Sequence, residues 1–196
     1  MKEIVKCAME AFAIEAESLA KTREVINEDE FARAVEVLAT APRIASAGCG
    51  HTGIACQHFS HLMCCIERPA RFISPAEAVH GGLGFLQAGD VILLASRGGK
   101  TDELLPIADV CKSKGVTIIG VTENLQSPLA EKSDIVIAMA VTRECDKYNC
   151  QGTTSFAVTC AIFDALQCAV LERTGFKNEK FAVIHPGGAV GKRLNK

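Results

Sequence analysis

The sequence predicts an α/β fold, a doubly wound and mostly parallel sheet flanked by helices, on three observations. Apolar segments of strand length alternate along the chain with longer helical segments. The strand segments are apolar on both faces, as in Val-Ile-Leu-Leu-Ala at 91–95, which is typical of strands covered by helices on each side. The connections are short and no repeat or linker interrupts them, so we interpret the 196 residues as one domain.

The predicted elements divide this domain into three parts. Residues 1–40 hold two amphipathic helices, and residues 41–176 hold the sheet with its helices. Residues 177–196 form a C-terminal tail rich in glycine and basic residues, which we expect to wrap over a surface or a partner subunit. The predicted strands are residues 42–47, 70–73, 91–95, 116–121 and 135–139. The predicted helices are residues 4–21 and 29–39, one ending at 65, one ending at 114, and 153–172.

Composition limits the classes of partner and the compartment. The formal net charge is −2, so no globally basic surface favours nucleic acid or an anionic membrane, and we expect neither as a partner. The first twenty residues carry four glutamates, unlike a signal peptide or a membrane span. The ten cysteines are scattered, and we expect reduced thiols in a cytoplasmic protein.

Three loops that follow predicted strands have the composition of anion-binding sites. Ligands of open α/β sheets bind beyond the carboxyl ends of the strands, where glycines and hydroxyls at helix starts suit a phosphate. Each loop alone is also explained as a capped strand-to-helix turn, but three at successive strand ends favour phosphate binding. The candidate binding residues are Gly48, Cys49, Gly50, Thr52, Ser96, Gly98, Gly99, Lys100, Thr101, Thr153, Thr154 and Ser155.

Two cofactor-dependent alternatives are weaker. Residues 48–53 match G-x-G-x-x-G, but the next strand does not end in the acidic residue that a dinucleotide site needs. The residues Cys56, His58, His61 and Cys64 lie on more than one face of a helix and cannot converge on one metal. We therefore expect neither a cofactor nor a metal.

Taken in order, these segments resemble the SIS (sugar isomerase) domain of the arabinose 5-phosphate isomerase group. The terminal His-Pro-Gly-Gly segment at 185–188 is the most specific marker, and the resemblance runs from about residue 44 to residue 194. It implies a five-stranded parallel sheet, a sugar-phosphate ligand, and a homodimer or homotetramer whose subunits share sites. The other markers are residues 48–50, 78–84, 96–103, 143–145 and 153–155.

The resemblance also implies catalytic residues, and the chain departs from two of them. Glu144 and His185 match the family's catalytic Glu and terminal His, and we expect a base and an acid there. His51 stands where the family usually has Lys, and Lys100 stands where it has Glu. His51, His80 or Lys100 could stabilise an enediolate. Full-length relatives continue into paired CBS modules, which we do not expect within these residues.

Two functions remain open at this stage. The first is a metal-independent aldose–ketose isomerase acting on a small sugar phosphate. The second is a non-catalytic module of the same fold that senses a sugar phosphate. The matches at Glu144 and His185 favour the enzyme, whereas His51 and Lys100 favour the sensor.

Overall fold

The computed structural model describes residues 1–195 and is built around one five-stranded sheet with all pairings parallel, in the order β2-β1-β3-β4-β5. The predicted α/β fold with its parallel sheet is confirmed. The strands are β1 Ile44–Ala47, β2 Ala70–Phe72, β3 Val91–Ala95, β4 Thr117–Thr122 and β5 Ile135–Ala138. The helices are α1 Lys2–Val25, α2 Glu28–Thr40, α3 Gly50–Cys65, α4 Pro75–Ala78, α5 Leu105–Ser113, α6 Pro128–Lys132, α7 Thr154–Thr174, α8 Asn178–Ile184 and α9 Gly188–Leu194.

Helices cover both faces of the sheet, which explains the apolar strands. Strand β3 is buried along its whole length and pairs with β1 on one side and β4 on the other. Phe59 of α3 and Phe163 of α7 pack on one face, with ring centroids 5.0 Å apart. Ile107 of α5 packs on the opposite face. A residue that points either way from β3 therefore meets a hydrophobic core.

Helix α7 is long enough and apolar enough to cross a membrane by length and composition alone. In the structure it packs against α1, α2 and α3. Val158, Ile162 and Leu166 of α7 are almost fully buried. It is therefore a core helix of the α/β fold.

Helix α1 covers the chain that continues beyond the edge strand β5. Thr22 donates its hydroxyl to Ala140 O and accepts from Ala140 N–H, at 2.9 and 3.0 Å. Ser18, one turn earlier, accepts from Thr142 N–H at 3.1 Å. These two buried hydroxyls satisfy backbone groups that an open sheet edge would expose. They also fix the start of the segment that carries Glu144.

The C-terminal tail, which we expected to wrap over a surface or a partner subunit, is largely helical. It forms two short helices, α8 and α9, joined by a sharp turn in which Gly188 has φ +68°. Lys180 pairs with Glu67 at 3.4 Å, and Phe181 lies against Cys65. The tail therefore packs where α3 ends. Lys196 lies outside the described residues.

Candidate functional site

The strand order places the candidate site between the ends of β1 and β3. The chain leaves β1 toward β2 on one side and later adds β3 on the other side, so the connections diverge at this point. Such a divergence opens a crevice at the carboxyl ends of the two strands. A cleft of about 380 Å³ lies beside this point, beyond the carboxyl ends of β1 and β2, and reaches Glu103 after β3. It is lined by Gly48, Cys49, Gly50, Gly53, Gln57, Phe72, Ser74, Pro75, Ala76 and Glu103.

The first loop brings backbone close to the cleft. Gly53 packs on Gly48, since a Cβ on Gly53 would lie 2.6 Å from Gly48 O. Gly50 has φ +56°, which favours glycine at the first residue of α3. Cys49 lies at the N-cap of α3, and partial burial with the nearby Glu103 charge raises the pKa of its thiol. Cys49 is therefore a neutral lining group rather than a reactive thiolate.

The second loop, residues 96–101, is a compact turn with hydroxyls on its inner side. Ser96 Oγ lies 2.8 Å from Thr101 Oγ1 and accepts from Gly99 N–H at 3.1 Å. The N–H groups of Lys100 and Asp102 have no acceptor among residues 1–195. Three further residues separate Thr101 from α5, so the loop does not sit directly on a helix start. Its open N–H groups and hydroxyls suit a phosphate.

Replacing Thr101 with valine tests this loop as the phosphate site. Thr101→Val keeps the side-chain shape and removes one hydroxyl, so sugar-phosphate binding should weaken by about 1–3 kcal/mol. Titration calorimetry measures the loss. Thr117→Val, at the opposite end of the sheet, is the matched control and should bind as the parent does. Equal binding by both variants would contradict the assignment.

Glu144 is a buried carboxylate with a full set of donors. Its residue is 4% exposed. Oε2 accepts from the backbone N–H of Thr153 at 2.9 Å and of Ser155 at 3.1 Å. Oε1 accepts from Arg97 Nη1 at 2.8 Å. Burial acts to raise the pKa of Glu144, but the hydrogen bonds from Ser155 and the Arg97 charge outweigh it and lower the pKa below its ordinary value.

This arrangement corrects the predicted role of the third loop. At the start of α7, where the sequence predicts three hydroxyls that bind phosphate, the backbone N–H groups of Thr153 and Ser155 bind the Glu144 carboxylate. Thr154 is fully buried, and its hydroxyl lies 3.2 Å from Cys145 Sγ. Thr153, Thr154 and Ser155 therefore hold Glu144 and its neighbour in place. An internal anion at a helix N-terminus satisfies the same dipole that a phosphate would.

Arg97 connects the second loop to Glu144 across the ends of three strands. Its Nε donates to Glu123 Oε2 at 2.8 Å, just after β4, and its Nη2 approaches Val141 O at 3.4 Å, after β5. Glu123 Oε1 in turn accepts from Val141 N–H at 2.8 Å. The Arg97 carbonyl accepts from Thr122 Oγ1 at 3.0 Å. Both the main chain and the guanidinium of Arg97 are thus fixed.

His51 and His80, two of the predicted catalytic histidines, lie on different elements: His51 is in α3, and His80 is in the loop after α4. His51 lies in the first turn of α3, exposed and facing α7: a Cβ on Gly152 would come within 3.1 Å of His51 Nδ1, and Phe156 stands edge-on at 6.3 Å. His80 is exposed in the loop after α4, and its N–H donates to Glu77 O at 3.1 Å. The structure brings His51 next to the start of α7. Lys100 is exposed on the second loop.

His185 is far from the other predicted catalytic residues of its own chain. Its ring lies 5.0 Å from that of Phe181, and Phe181 lines a cavity together with Cys65 at the end of α3 and Leu171 near the end of α7. Sixteen residues of α3 span about 24 Å, and Lys180 of the tail pairs with Glu67 just after α3 ends, at the opposite end of this helix from the first loop. His185 Nδ1 is buried and has no partner among residues 1–195.

Sequence reasoning missed Gln57, Arg97 and Glu103. Gln57 could have been found, because it shares a helix face with Gly50 and Gly53 at spacings of three and four. Glu103 lies within the recognised loop, but only the turn at 102–104 brings it into the cleft. The direction of the Arg97 side chain has no sequence signal.

Two further features bear on the type of site. Within residues 1–195, no group of three His, Cys, Asp or Glu side chains could hold a metal ion. A cavity of about 510 Å³ lies at the amino ends of the strands, beside Thr117 and Ile135 where β4 and β5 begin. Ligands of open parallel sheets bind at the carboxyl ends of the strands instead. The cleft beside Gly48 is therefore the candidate site.

Comparison with known proteins shows which family this fold belongs to. Arabinose 5-phosphate isomerase KdsD of Pseudomonas aeruginosa is 37% identical over 85% of this chain and 51% of its own length. A crystal structure of a candidate sugar-phosphate isomerase from Listeria monocytogenes is 40% identical, with a TM-score of 0.91 over 95% of this chain and 98% of that one. A protein of Escherichia coli CFT073, solved in complex with arabinose 5-phosphate, is 26% identical with a TM-score of 0.88, over 94% and 98% of the two chains.

The chain spans about half the length of the curated relatives it matches. The family model that matches is the SIS domain, over residues 37–169. That range contains the sheet, the cleft, Arg97 and Glu144, whereas His185 lies beyond it. The chain belongs to the SIS domain family.

Proposed function

We propose that this protein is a phosphosugar aldose–ketose isomerase of the arabinose 5-phosphate isomerase type, working in the cytoplasm without a metal or cofactor. The main support is the pair of loops at the carboxyl ends of β1 and β3. The first loop lines the cleft together with Glu103, and the second loop carries open N–H groups and hydroxyls. Relatives that carry this activity in their names share 30% or more of the sequence. Neither a nucleic acid nor a membrane is part of the proposal.

The reaction requires two proton movements on a substrate held by its phosphate. From the ketose, a base removes a proton from C1 to give a cis-enediol and returns a proton to C2. An acid protonates the C2 oxygen as the enediol forms, and the C1 hydroxyl loses its proton when C2 is protonated, which leaves the aldehyde. The second loop anchors the phosphate and so fixes the reacting carbons. We assign Glu144 as the base, held ionised at neutral pH.

We assign the acid to His185 of a second copy of the chain in a homodimer or homotetramer. Within one chain the tail that carries His185 packs where α3 ends, whereas the first loop lies where α3 begins, which favours a His185 supplied by another copy. The tail lies outside the sheet and exposes Val183 and Ile184, so a partner can approach it. Two-fold symmetry then gives two equivalent shared sites.

The alternative is a sensor that binds the sugar phosphate without turnover, favoured by His51 and Lys100 in place of the Lys and Glu that the family usually has. Incubating the purified protein with ribulose 5-phosphate and following the aldose by NMR separates the two. An isomerase is expected to form arabinose 5-phosphate. Binding by calorimetry without any aldose would favour the sensor.

A further inference from the structure

We infer that Arg97 is a positioning residue that keeps Glu144 ionised and oriented, and so links the phosphate loop to the base. This inference rests on the proposed function for its catalytic meaning. Its physical part, the dependence of Glu144 on Arg97, can be measured whether or not the protein turns over a substrate.

Arg97 is the only cation that pairs with Glu144 among the described residues. Their side chains meet at 2.8 Å, with Arg97 35% exposed and Glu144 5% exposed. A buried carboxylate that loses its counter-charge is strongly disfavoured, because burial penalises the ionised form. The backbone N–H groups of Thr153 and Ser155 would remain, but they carry no net charge.

The side chain and the main chain of Arg97 are both held in place by hydrogen bonds. Its guanidinium also binds Glu123 at 2.8 Å, and Glu123 holds Val141 N–H. Its main chain is fixed by Glu123 N–H, which donates to Arg97 O at 2.9 Å. A planar guanidinium held at two carboxylates sets the direction of each. The Glu144 carboxylate is thus oriented by a side chain that arises between Ser96 and Gly98.

Other charged groups lie near Glu144 but do not pair with its carboxylate. On α1, Glu15 lies 3.6 Å from Cys145 Sγ, and Glu10 pairs with Arg143 at 2.7 Å on the surface. Neither contacts the Glu144 carboxylate. The charged or titratable groups on the elements around it are Arg97, Glu123, Glu10, Glu15, Arg143, Cys145, Asp146, Lys147 and, beside the start of α7, His51.

The test is a set of thermal unfolding curves from pH 4 to pH 8 on the full chain. Arg97→Met should lower Tm most at pH 7–8, with the deficit shrinking toward pH 4. The pKa of Glu144 is lower in the folded protein than in the unfolded chain, so its ionised form stabilises the fold at any pH above its pKa in the unfolded chain. This stabilisation is lost as the pH falls through the pKa of Glu144 in the folded protein. Arg97→Met removes the part of the lowering of the Glu144 pKa that the guanidinium charge causes.

Two further variants isolate the pair. Arg97→Met combined with Glu144→Gln should lose much of the pH dependence, because no buried charge remains to be paired. Arg143→Met is the matched control, an arginine next to Glu144 in sequence that points to Glu10 instead, and its Tm deficit should be small at every pH. A pH-independent deficit in Arg97→Met, or an equal one in Arg143→Met, would overturn the inference.

The kinetic arm uses ribulose 5-phosphate. Arg97→Met should lower kcat at least tenfold with a smaller change in KM, and move the acid limb of kcat/KM toward neutral pH. Arg97→Lys should recover part of the loss. An unmoved acid limb in an active, folded variant would reject the role for Arg97. Absence of turnover in the parent would reject the isomerase while leaving the Tm result standing.

Discussion

Mixing Glu144→Gln protein with His185→Ala protein is expected to restore about a quarter of the parental isomerase activity. Each variant alone should be nearly inactive. In a mixed dimer, one site collects both defects and the other combines an intact Glu144 with an intact His185. Random pairing makes about half of the dimers mixed and repairs one of two sites in each. Glutamine is chosen because Glu144 is buried, and truncation to alanine would leave the donors around it unpaired.

The experiment depends on subunit exchange, which is measurable. The two variants are unfolded together and refolded, and exchange is confirmed by native mass spectrometry with one variant isotope-labelled. The structural reason for the expectation is the placement of His185 beyond the far end of α3. If exchange is complete and no activity returns, Glu144 and His185 serve the same chain, and the shared site is wrong.

Gly99→Ala is expected to disrupt the second loop far more than Gly98→Ala. Gly99 has φ +65°, and a Cβ there would lie 2.0 Å from Ser127 Oγ and 2.4 Å from Ser127 Cβ. Strain in the left-handed region and overpacking together should cost about 2–4 kcal/mol of unfolding free energy. Sugar-phosphate affinity should also fall at least tenfold, because the loop must move away from Ser127.

Gly98→Ala is the matched control for this substitution. Gly98 is exposed, and a Cβ there meets nothing within 4 Å. Its unfolding free energy should stay within about 0.5 kcal/mol of the parent. Urea unfolding and calorimetry give both quantities for the two variants. Similar behaviour of the two variants would show that the shape of the loop does not depend on the close approach of Gly99 to Ser127.

The sequence was sufficient to predict the sheet, because burial on both faces leaves a continuous apolar signal in the central strands β1, β3 and β4. All five predicted strands are present, with ends shifted by up to two residues, as at β1, where the strand begins at Ile44. The shorter helices α4 and α6 were not predicted, since four or five residues carry no helical period. Helices α8 and α9 were missed because the glycines and the proline at 186 in the tail resemble loop residues.

The candidate site was predicted at the level of loops and less well at the level of side chains. Strand ends converge by topology, so the first two loops could be located from the strand pattern. The role of Thr153 to Ser155 could not be inferred, because it depends on Glu144 folding back onto the start of α7. Arg97 could not be identified either, since its three contacts are 26, 44 and 47 residues away.

The most direct test of the proposed isomerase is proton NMR of ribulose 5-phosphate incubated with the purified protein in D₂O. A base that removes the C1 proton and returns a solvent-exchanged one is expected to give arabinose 5-phosphate with deuterium at C2. The same sample with Glu144→Gln should give neither aldose nor exchange. If the parent protein binds the sugar phosphate by calorimetry yet yields no aldose and no exchange at C1, it is a sensor, and the proposed isomerase is wrong.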